Sequence, residues 1–129
     1  GLNIAEWTLS ENNIDLMILC LGANDMLRGI NPKETKNNLE EIIQIAKNKN
    51  IKVIIAGMIA PTSYGFAYKK SFDKIFSDLS KKHKLQLIPF LLEGVAQKPE
   101  FNLSDGMHPN DQGTIIIGNT LKKAILENL

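Results

Sequence analysis

Ile14–Leu21 reads Ile-Asp-Leu-Met-Ile-Leu-Cys-Leu, a nearly continuous apolar run that ends at Gly22. A short apolar run bounded in this way indicates a β-strand buried on both faces, as the strands of a parallel sheet are. Lys52–Met58 has the same character and predicts a second buried strand, and Leu85–Pro89 predicts a third. The sheet of this chain is therefore expected to be parallel, with longer segments connecting its strands.

Amphipathic helices are predicted between these strands. Asn31 as N-cap, Pro32 at the first helical position and Glu34 as the partner of a capping box start a helix that runs to about Lys49. The apolar stripe of this helix consists of Leu39, Ile42, Ile43 and Ala46. A second helix covers roughly Tyr64–Lys82, with a stripe of Tyr68, Phe72, Ile75, Phe76 and Leu79. Further helical segments are predicted at Leu2–Asn12, near Leu91–Ala96, and from about Pro109, where Ile117, Leu121, Ala124 and Ile125 face the core.

Strand and helix alternate three times, which predicts an α/β fold with a parallel sheet and helices on both of its faces. Ligands of such folds bind at the carboxyl ends of the strands. Gly22–Arg28 and Met58–Tyr64 follow two of the strands, and Asp105–His108 precedes the last helix, which can fold over the same edge. Three loops that are distant in the sequence are therefore expected to converge.

Composition excludes several classes of partner. The chain has 129 residues, 43% of them hydrophobic, which suits one globular domain, and its net charge of +1 offers no general attraction to nucleic acid or membrane surfaces. No apolar run approaches the roughly 18 residues of a membrane span.

Cys20 is expected to pack in a strand as a small hydrophobe. Lys69-Lys70 and Lys81–Lys84, with His83, are interpreted as solvated helix faces, and neither a zinc ligand set nor a phosphate loop is present, so we predict no metal and no cofactor.

Asp105-Gly106-Met107-His108-Pro109 carries the first group of candidate catalytic residues. An acid and a histidine three residues apart in a turn can form the orienting half of a hydrolytic triad. Gly106 relaxes the backbone between them, and Pro109 is expected to start the following helix. The alternative is that Asp105-Gly106 is an ordinary turn and that His108 caps a helix.

Gly22-Ala23-Asn24-Asp25 carries the second group. The side-chain amide of Asn24 can donate a hydrogen bond to an oxyanion that develops in acyl transfer. The alternative is a plain strand-exit loop, in which Asn24 and Asp25 bond to local backbone groups.

Together the two segments resemble blocks of the SGNH (GDSL-like) hydrolases. Gly22-Ala23-Asn24-Asp25 is similar to the family's Gly-x-Asn-Asp block, and Asp105–His108 is similar to its Asp-x-x-His block. Leu27-Arg28-Gly29, Pro61–Gly65 and Ile88-Pro89-Phe90 resemble the bacterial branch of acyl-CoA thioesterases, lysophospholipases and arylesterases. The resemblance implies a three-layer α/β/α flavodoxin-like sandwich, Asp105 and His108 as catalytic residues, Asn24 in the oxyanion hole, and a periplasmic or secreted location, although this chain has no signal peptide.

Two blocks of the family have no counterpart. The Gly-Asp-Ser-Leu block, which carries the nucleophilic serine, and the glycine block after the second strand both belong before Gly1. The resemblance therefore implies that residues 1–129 are one N-terminally truncated domain, which retains three of five strands. Ser63 and Ser104 are the substitute nucleophiles in loops, but neither follows a strained strand-to-helix turn, and Cys20 is expected to be buried.

An acyl ester or thioester is the predicted substrate. Gly22, Ile59 and Met107 are the predicted substrate contacts, and the apolar residues that could line an acyl groove or belong to the ordinary core are Met26, Leu27, Ile30, Met58, Ile59, Ala60 and Met107. Two rival hypotheses are a noncatalytic acyl- or lipid-binding domain and, with less support, a receiver-like phosphoacceptor domain. Because a truncated sheet has an uncovered edge, the chain alone is expected to aggregate, swap strands or associate with another chain.

Overall fold

The computed structural model describes residues 1–11 and 13–128. They form two compact units, Gly1–Pro89 and the segment from Phe90 onward. The regular elements of the first unit are α1 (Leu2–Thr8), β1 (Leu16–Leu19), α2 (Ala23–Leu27), α3 (Pro32–Asn48), β2 (Lys52–Ala56), a 3-10 turn (Thr62–Tyr64), α4 (Phe66–His83) and β3 (Gln86–Ile88). Those of the second unit are a 3-10 turn (Pro99–Phe101) and α5 (Asp111–Glu127).

The first unit contains a three-stranded parallel sheet in the order β1-β2-β3, flanked by helices. Leu16 pairs with Lys52 at the start of the β1 and β2 ladder, and Ile54 pairs with Gln86 in the next one. The predicted α/β class and parallel sheet are therefore confirmed. Among the described residues, no helix is both long and apolar enough to cross a membrane.

The core of the first unit joins the predicted helix stripes to the central strand. Val53 and Ile55 of β2 are buried in the same apolar cluster as residues of α3 and α4. The cluster members from the helices are Leu39, Ile42, Ile43, Ala46, Phe72, Ile75, Phe76 and Leu79. Ile54 and Ala56 point the other way along the strand and are buried too. Both faces of β2 are thus excluded from water, as its sequence predicted.

The prediction that Ile14–Leu21 forms a strand buried on both faces was wrong for most of its length. The strand is limited to Leu16–Leu19, and only Leu19 is buried, while its other residues are half-buried. The physical reason is that β1 pairs only with β2 and forms an edge of the described sheet. Its apolar composition alone cannot distinguish an edge position from a central one.

Local backbone geometry shortens two predicted helices. The helix at Leu2–Asn12 ends at Thr8, and the Ser10 hydroxyl donates to the Trp7 carbonyl; Asn12 lies outside the described residues. The predicted helix near Leu91–Ala96 is a succession of turns instead. Gly94 has a φ of +82°, which is incompatible with continuation of a right-handed helix.

In the second unit α5 begins after Asn110, so the prediction that Pro109 starts this helix was wrong. The Asn110 side chain accepts a hydrogen bond from the Gly113 amide at 3.0 Å and is the N-cap. A Cβ atom at Gly113 would lie 2.2 Å from the Phe101 carbonyl oxygen, so only glycine allows this approach. Of the four predicted core residues of α5, Ala124 is buried and Ile117, Leu121 and Ile125 are half-buried.

The interpretation of His83 as part of an exposed basic segment was also wrong. Its side chain is only 9% exposed, and Nε2 lies 2.9 Å from Glu40 Oε1 on α3. Lys82 contacts the same oxygen at 2.5 Å. Hydrogen bonds from Lys82 and then from His83 lower the pKa of Glu40. The His83 imidazole is therefore held against α3 by Glu40, which lies 43 residues away in the sequence.

Candidate active site

Asp105 and His108 lie at the tip of a closed turn in the second unit. Asn102 and Pro109 form an antiparallel bridge at its base, and the Leu103 amide donates to the His108 carbonyl at 2.7 Å. Gly106 has a φ of +70°, a value that glycine adopts without strain, so its predicted backbone role is confirmed. The turn holds both candidate catalytic side chains on a backbone that is hydrogen-bonded on either side of them.

Within this turn each oxygen of the Asp105 carboxylate has a separate partner set. Oδ1 accepts hydrogen bonds from the Met107 amide at 2.9 Å and the His108 amide at 3.0 Å. Oδ2 lies 2.6 Å from His108 Nδ1. An ionised carboxylate only accepts, so Nδ1 carries the hydrogen and Nε2 of the neutral ring has a free lone pair. The hypothesis that His108 caps a helix is wrong, because Asn110 is the cap.

These contacts lower the pKa of Asp105 to about 2, chiefly through the His108 amide, then the His108 side chain and the Met107 amide. Because the folded turn lowers this pKa, ionised Asp105 stabilises the turn at any pH above the ordinary carboxyl pKa. This contribution is lost as the pH falls through about 2. Asp105 therefore stays ionised throughout the neutral range.

We expect the Asp105 carboxyl carbon to titrate with a midpoint of about 2 when it is followed by NMR. His108→Ala should raise this pKa only part of the way to the ordinary carboxyl value, because both backbone amides still donate to Oδ1. An ordinary carboxyl midpoint in the unsubstituted protein would contradict the bonding described above.

Asn24 lies in the first unit, in the first turn of α2 rather than in an irregular loop. Gly22 precedes this helix with a φ of +125°, which turns the chain sharply after β1. Asn24 is exposed, and its side-chain amide has no hydrogen-bond partner among the described residues. It is thus available to a ligand, as an oxyanion donor must be, although its role in the site is a prediction.

A pocket of about 230 Å³ lies at the carboxyl ends of β1 and β2 in the first unit. Gly22 and Asn24 line it, with Leu39, Ile42 and Met58 supplying apolar surface. This is the edge of the sheet at which the sequence predicts the functional site. The part of the chain that the structure describes contains no group of three or more His, Cys, Asp or Glu side chains that could hold a metal ion.

The structure adds polar anchors that the sequence did not identify. The buried Thr35 hydroxyl donates to Asp25 Oδ2 at 2.9 Å, and the Tyr68 hydroxyl donates to the Ile30 carbonyl at 2.9 Å. Thr35 lies one turn before Leu39 on the buried side of α3. The position of polar Thr35 in line with the apolar stripe was the sequence signal that could have revealed this bond. Both bonds fasten the segment that contains Asn24 to the helices behind it.

The remaining predicted contacts have different environments. Ile59 is 45% exposed and Met107 is also exposed, so both present apolar surface to solvent. Ala60 is 1% exposed, which makes it a core residue and excludes it from an open acyl groove. The contributions of Gly22, Ile59 and Met107 to substrate binding stay predictions.

The candidate nucleophiles within the chain have unremarkable settings. Ser63 is exposed in a 3-10 turn, and Ser104 is exposed in the same turn as Asp105, directly before it. The prediction that Cys20 is buried in a strand was wrong: it follows the end of β1, is exposed, and lines the pocket. The surrounding protein nevertheless raises the pKa of its thiol by desolvation, which disfavours the reactive thiolate at neutral pH.

Comparison with known proteins agrees with the fold and with the resemblance to the family. Residues 3–114 match the GDSL-like lipase/acylhydrolase family. An arylesterase of Vibrio mimicus is 34% identical over 129 residues, covering 100% of this chain and 64% of that protein. Thioesterase 1/protease 1/lysophospholipase L1 of Escherichia coli K12 is 34% identical over 117 residues, covering 91% of this chain and 56% of that protein.

The solved structures include a crystal structure of TesA that superposes with a TM-score of 0.92 at 29% identity, covering 99% of this chain and 71% of that one. The chain spans less than two thirds of the length of the arylesterase and thioesterase relatives. Both the matched region and the parallel α/β architecture extend over most of the chain. It belongs to the GDSL-like (SGNH) hydrolase family.

Proposed function

We propose that the protein containing these residues hydrolyses carboxylic esters and thioesters by a serine, histidine and aspartate mechanism. The observation that carries this proposal is the 2.6 Å contact between His108 Nδ1 and Asp105 Oδ2, with Oδ1 held by two backbone amides. This arrangement selects the ring tautomer that a general base requires. No cofactor takes part.

In the first half of the proposed reaction, the hydroxyl of the serine attacks the acyl carbonyl while His108 Nε2 takes its proton. Asp105 stabilises the imidazolium that forms and does not itself become protonated. The side-chain amide of Asn24 donates to the oxyanion of the tetrahedral intermediate. Collapse of that intermediate breaks the bond to the leaving alcohol or thiol, which takes its proton from His108, and leaves an acyl-enzyme.

Water then hydrolyses the acyl-enzyme by the same steps. His108 removes a proton from the water as it attacks the acyl carbonyl, and it returns that proton to the serine oxygen as the acyl bond breaks. The products are a free carboxylic acid and the regenerated serine. The same two residues, Asp105 and His108, thus serve both halves of the cycle.

The proposed nucleophile is a serine outside residues 1–129. Ser63 and Ser104, the candidates in loops of this chain, follow no strand-to-helix elbow, and the desolvated Cys20 thiol is a poor nucleophile at neutral pH. The chain has no counterpart of the Gly-Asp-Ser-Leu block. In this proposal residues 1–129 form part of one hydrolase domain that a preceding segment completes.

The names of the relatives indicate the substrate classes to test first. They include an arylesterase and a thioesterase that is also named lysophospholipase L1. We therefore propose aryl esters, acyl-CoA thioesters and lysophospholipids as substrates. The exposed apolar side chains of Ile59 and Met107 suit a lipophilic acyl group better than a charged one.

An acyl phosphonate that reacts with activated serines tests this proposal. We expect the 129-residue chain to form no adduct by intact mass and to leave p-nitrophenyl butyrate unhydrolysed. The full-length polypeptide encoded with these residues should form a single stoichiometric adduct, mapping to a serine outside them, and should hydrolyse the ester. An adduct on Ser63 or Ser104 would instead place the nucleophile within this chain.

A noncatalytic acyl- or lipid-binding domain is the second candidate. Two observations favour it: apolar side chains, including Leu39 and Met58, line part of the pocket beside Asn24, and neither Ser63 nor Ser104 has the setting of an activated nucleophile. The same experiment separates the candidates. A full-length polypeptide that binds a fluorescent fatty acid but forms no phosphonate adduct and releases no p-nitrophenol would support binding without catalysis.

A further inference from the structure

One pair of charged side chains from α4 holds both backbone polar groups of Ala60. Asp73 Oδ1 accepts a hydrogen bond from the Ala60 amide at 2.7 Å, and Lys69 Nζ donates to the Ala60 carbonyl at 2.8 Å. Lys69 Nζ also lies 2.7 Å from Asp73 Oδ2, one helical turn away. The three residues form a closed ring of hydrogen bonds, which we call the Ala60 clamp.

The setting of Ala60 explains why a clamp is needed. Ala60 is buried and lies beyond the end of β2 at Ala56, so no neighbouring strand is paired with it. Pro61 follows, and the residue before a proline is driven away from helical backbone geometry. Buried amide and carbonyl groups are costly when unpaired. Lys69 and Asp73 satisfy both groups from outside the loop.

The clamp is the second of two anchors in this loop. The first is Gly57, whose amide donates to the Ile88 carbonyl at 2.7 Å. Met58 and Ile59 are the residues between the anchors. Met58 lines the pocket beside Asn24, whereas the side chain of Ile59 is largely in solvent. Two fixed points so close together restrain the backbone that carries these apolar side chains.

We propose that Lys69 and Asp73 are positioning residues that set acyl-chain selectivity by fixing Met58 and Ile59. This inference rests on the proposed ester hydrolysis and adds a specificity element to it. A long acyl chain needs an apolar surface at a fixed place, whereas an acetyl group ends near the reacting carbonyl and does not. Loss of the clamp should therefore weaken the binding of long acyl groups and spare short ones.

The kinetic test compares two lysine substitutions in the full-length polypeptide. Lys69→Met removes the clamp cation. Lys36→Met is the matched control, because Lys36 of α3 forms an ion pair with Asp78 of α4 and its side chain is about as exposed as that of Lys69. We expect Lys69→Met to lower the ratio of kcat/KM for p-nitrophenyl octanoate to that for p-nitrophenyl acetate about tenfold, mainly through KM. Lys36→Met should leave the ratio unchanged, and Lys69→Arg should restore much of it.

Amide hydrogen exchange of Ala60, measured by NMR, tests the clamp without any substrate. We expect faster exchange in Asp73→Ala and Lys69→Met and no change in Lys36→Met. Unchanged exchange in Asp73→Ala would overturn the clamp. Faster exchange with an unaltered octanoate to acetate ratio would overturn the selectivity role. A wild-type protein that hydrolyses neither ester would overturn the proposed function and the selectivity role, while the exchange data would still decide whether the clamp exists.

Discussion

His108→Ala in the full-length polypeptide is expected to lower kcat/KM for p-nitrophenyl butyrate by about 10³-fold or more. Alanine removes the only group proposed to take a proton from the nucleophile and return it to the leaving group. Asp105 cannot replace it, because its pKa is about 2 with His108 present and should stay below the ordinary carboxyl value without it, which leaves a very weak base at neutral pH. The measurement is steady-state hydrolysis with active-site concentration fixed by phosphonate titration of the wild-type protein.

The loss should not arise from unfolding. The His108 side chain is 71% exposed, so its removal leaves no cavity in a core. Circular dichroism and urea denaturation should be close to those of wild type. His83→Ala is the matched control, since it removes the other histidine and its contact with Glu40 but should retain turnover. Near-normal hydrolysis by His108→Ala would end the assignment of His108 as general base.

The predictions that succeeded depend on interactions between residues close in sequence. Asn31 caps α3 by accepting from the Lys33 amide, two residues away, and its pattern was readable from sequence alone. Asp105 and His108 likewise meet within one turn. Spacing of three or four residues largely fixes which side chains share a helix face or a turn, so the buried stripes of α3 and α4 were also predictable.

The predictions that failed depend on partners elsewhere in the chain. His83 is sheltered because Glu40 lies opposite it. Lys69, predicted to lie on a solvated helix face, is half-buried and donates to the Ala60 carbonyl in the loop before α4. Cys20 follows the end of an edge strand, which exposes it despite its apolar neighbours. A sequence pattern gives the apolar character of a segment but does not specify which elements pack against it, and so cannot assign these environments.

Phe72→Ala is expected to lower the free energy of unfolding by about 3–5 kcal/mol, because it removes a large aromatic side chain from a closely packed interior. Phe72 is fully buried, stacks with Tyr68 at a centroid distance of 6.1 Å, and meets Phe76 edge to face at 5.6 Å. Urea denaturation of the full-length polypeptide, followed by tryptophan fluorescence and circular dichroism together, measures the change.

Phe66→Ala is the matched control for this substitution. Phe66 is the first residue of the same helix and is 81% exposed, so its truncation should change the free energy of unfolding by no more than about 0.5 kcal/mol. Equal effects of the two substitutions would contradict the placement of Phe72 in the core. Because the chemical change is identical, any difference between them reports on burial.

Phe72 also links the core to the candidate site. A Cβ atom on Gly22 would lie 3.7 Å from the end of the Phe72 ring and 3.4 Å from that of Phe76, so the two rings lie against the turn that precedes Asn24. Tyr68, which stacks on Phe72, donates to the Ile30 carbonyl beyond α2. A cavity at Phe72 therefore removes support from both ends of the segment that carries Asn24. Phe72→Ala should accordingly lower kcat even in the absence of urea, whereas Phe66→Ala should not. An unaltered kcat in Phe72→Ala would show that the position of Asn24 is independent of these rings.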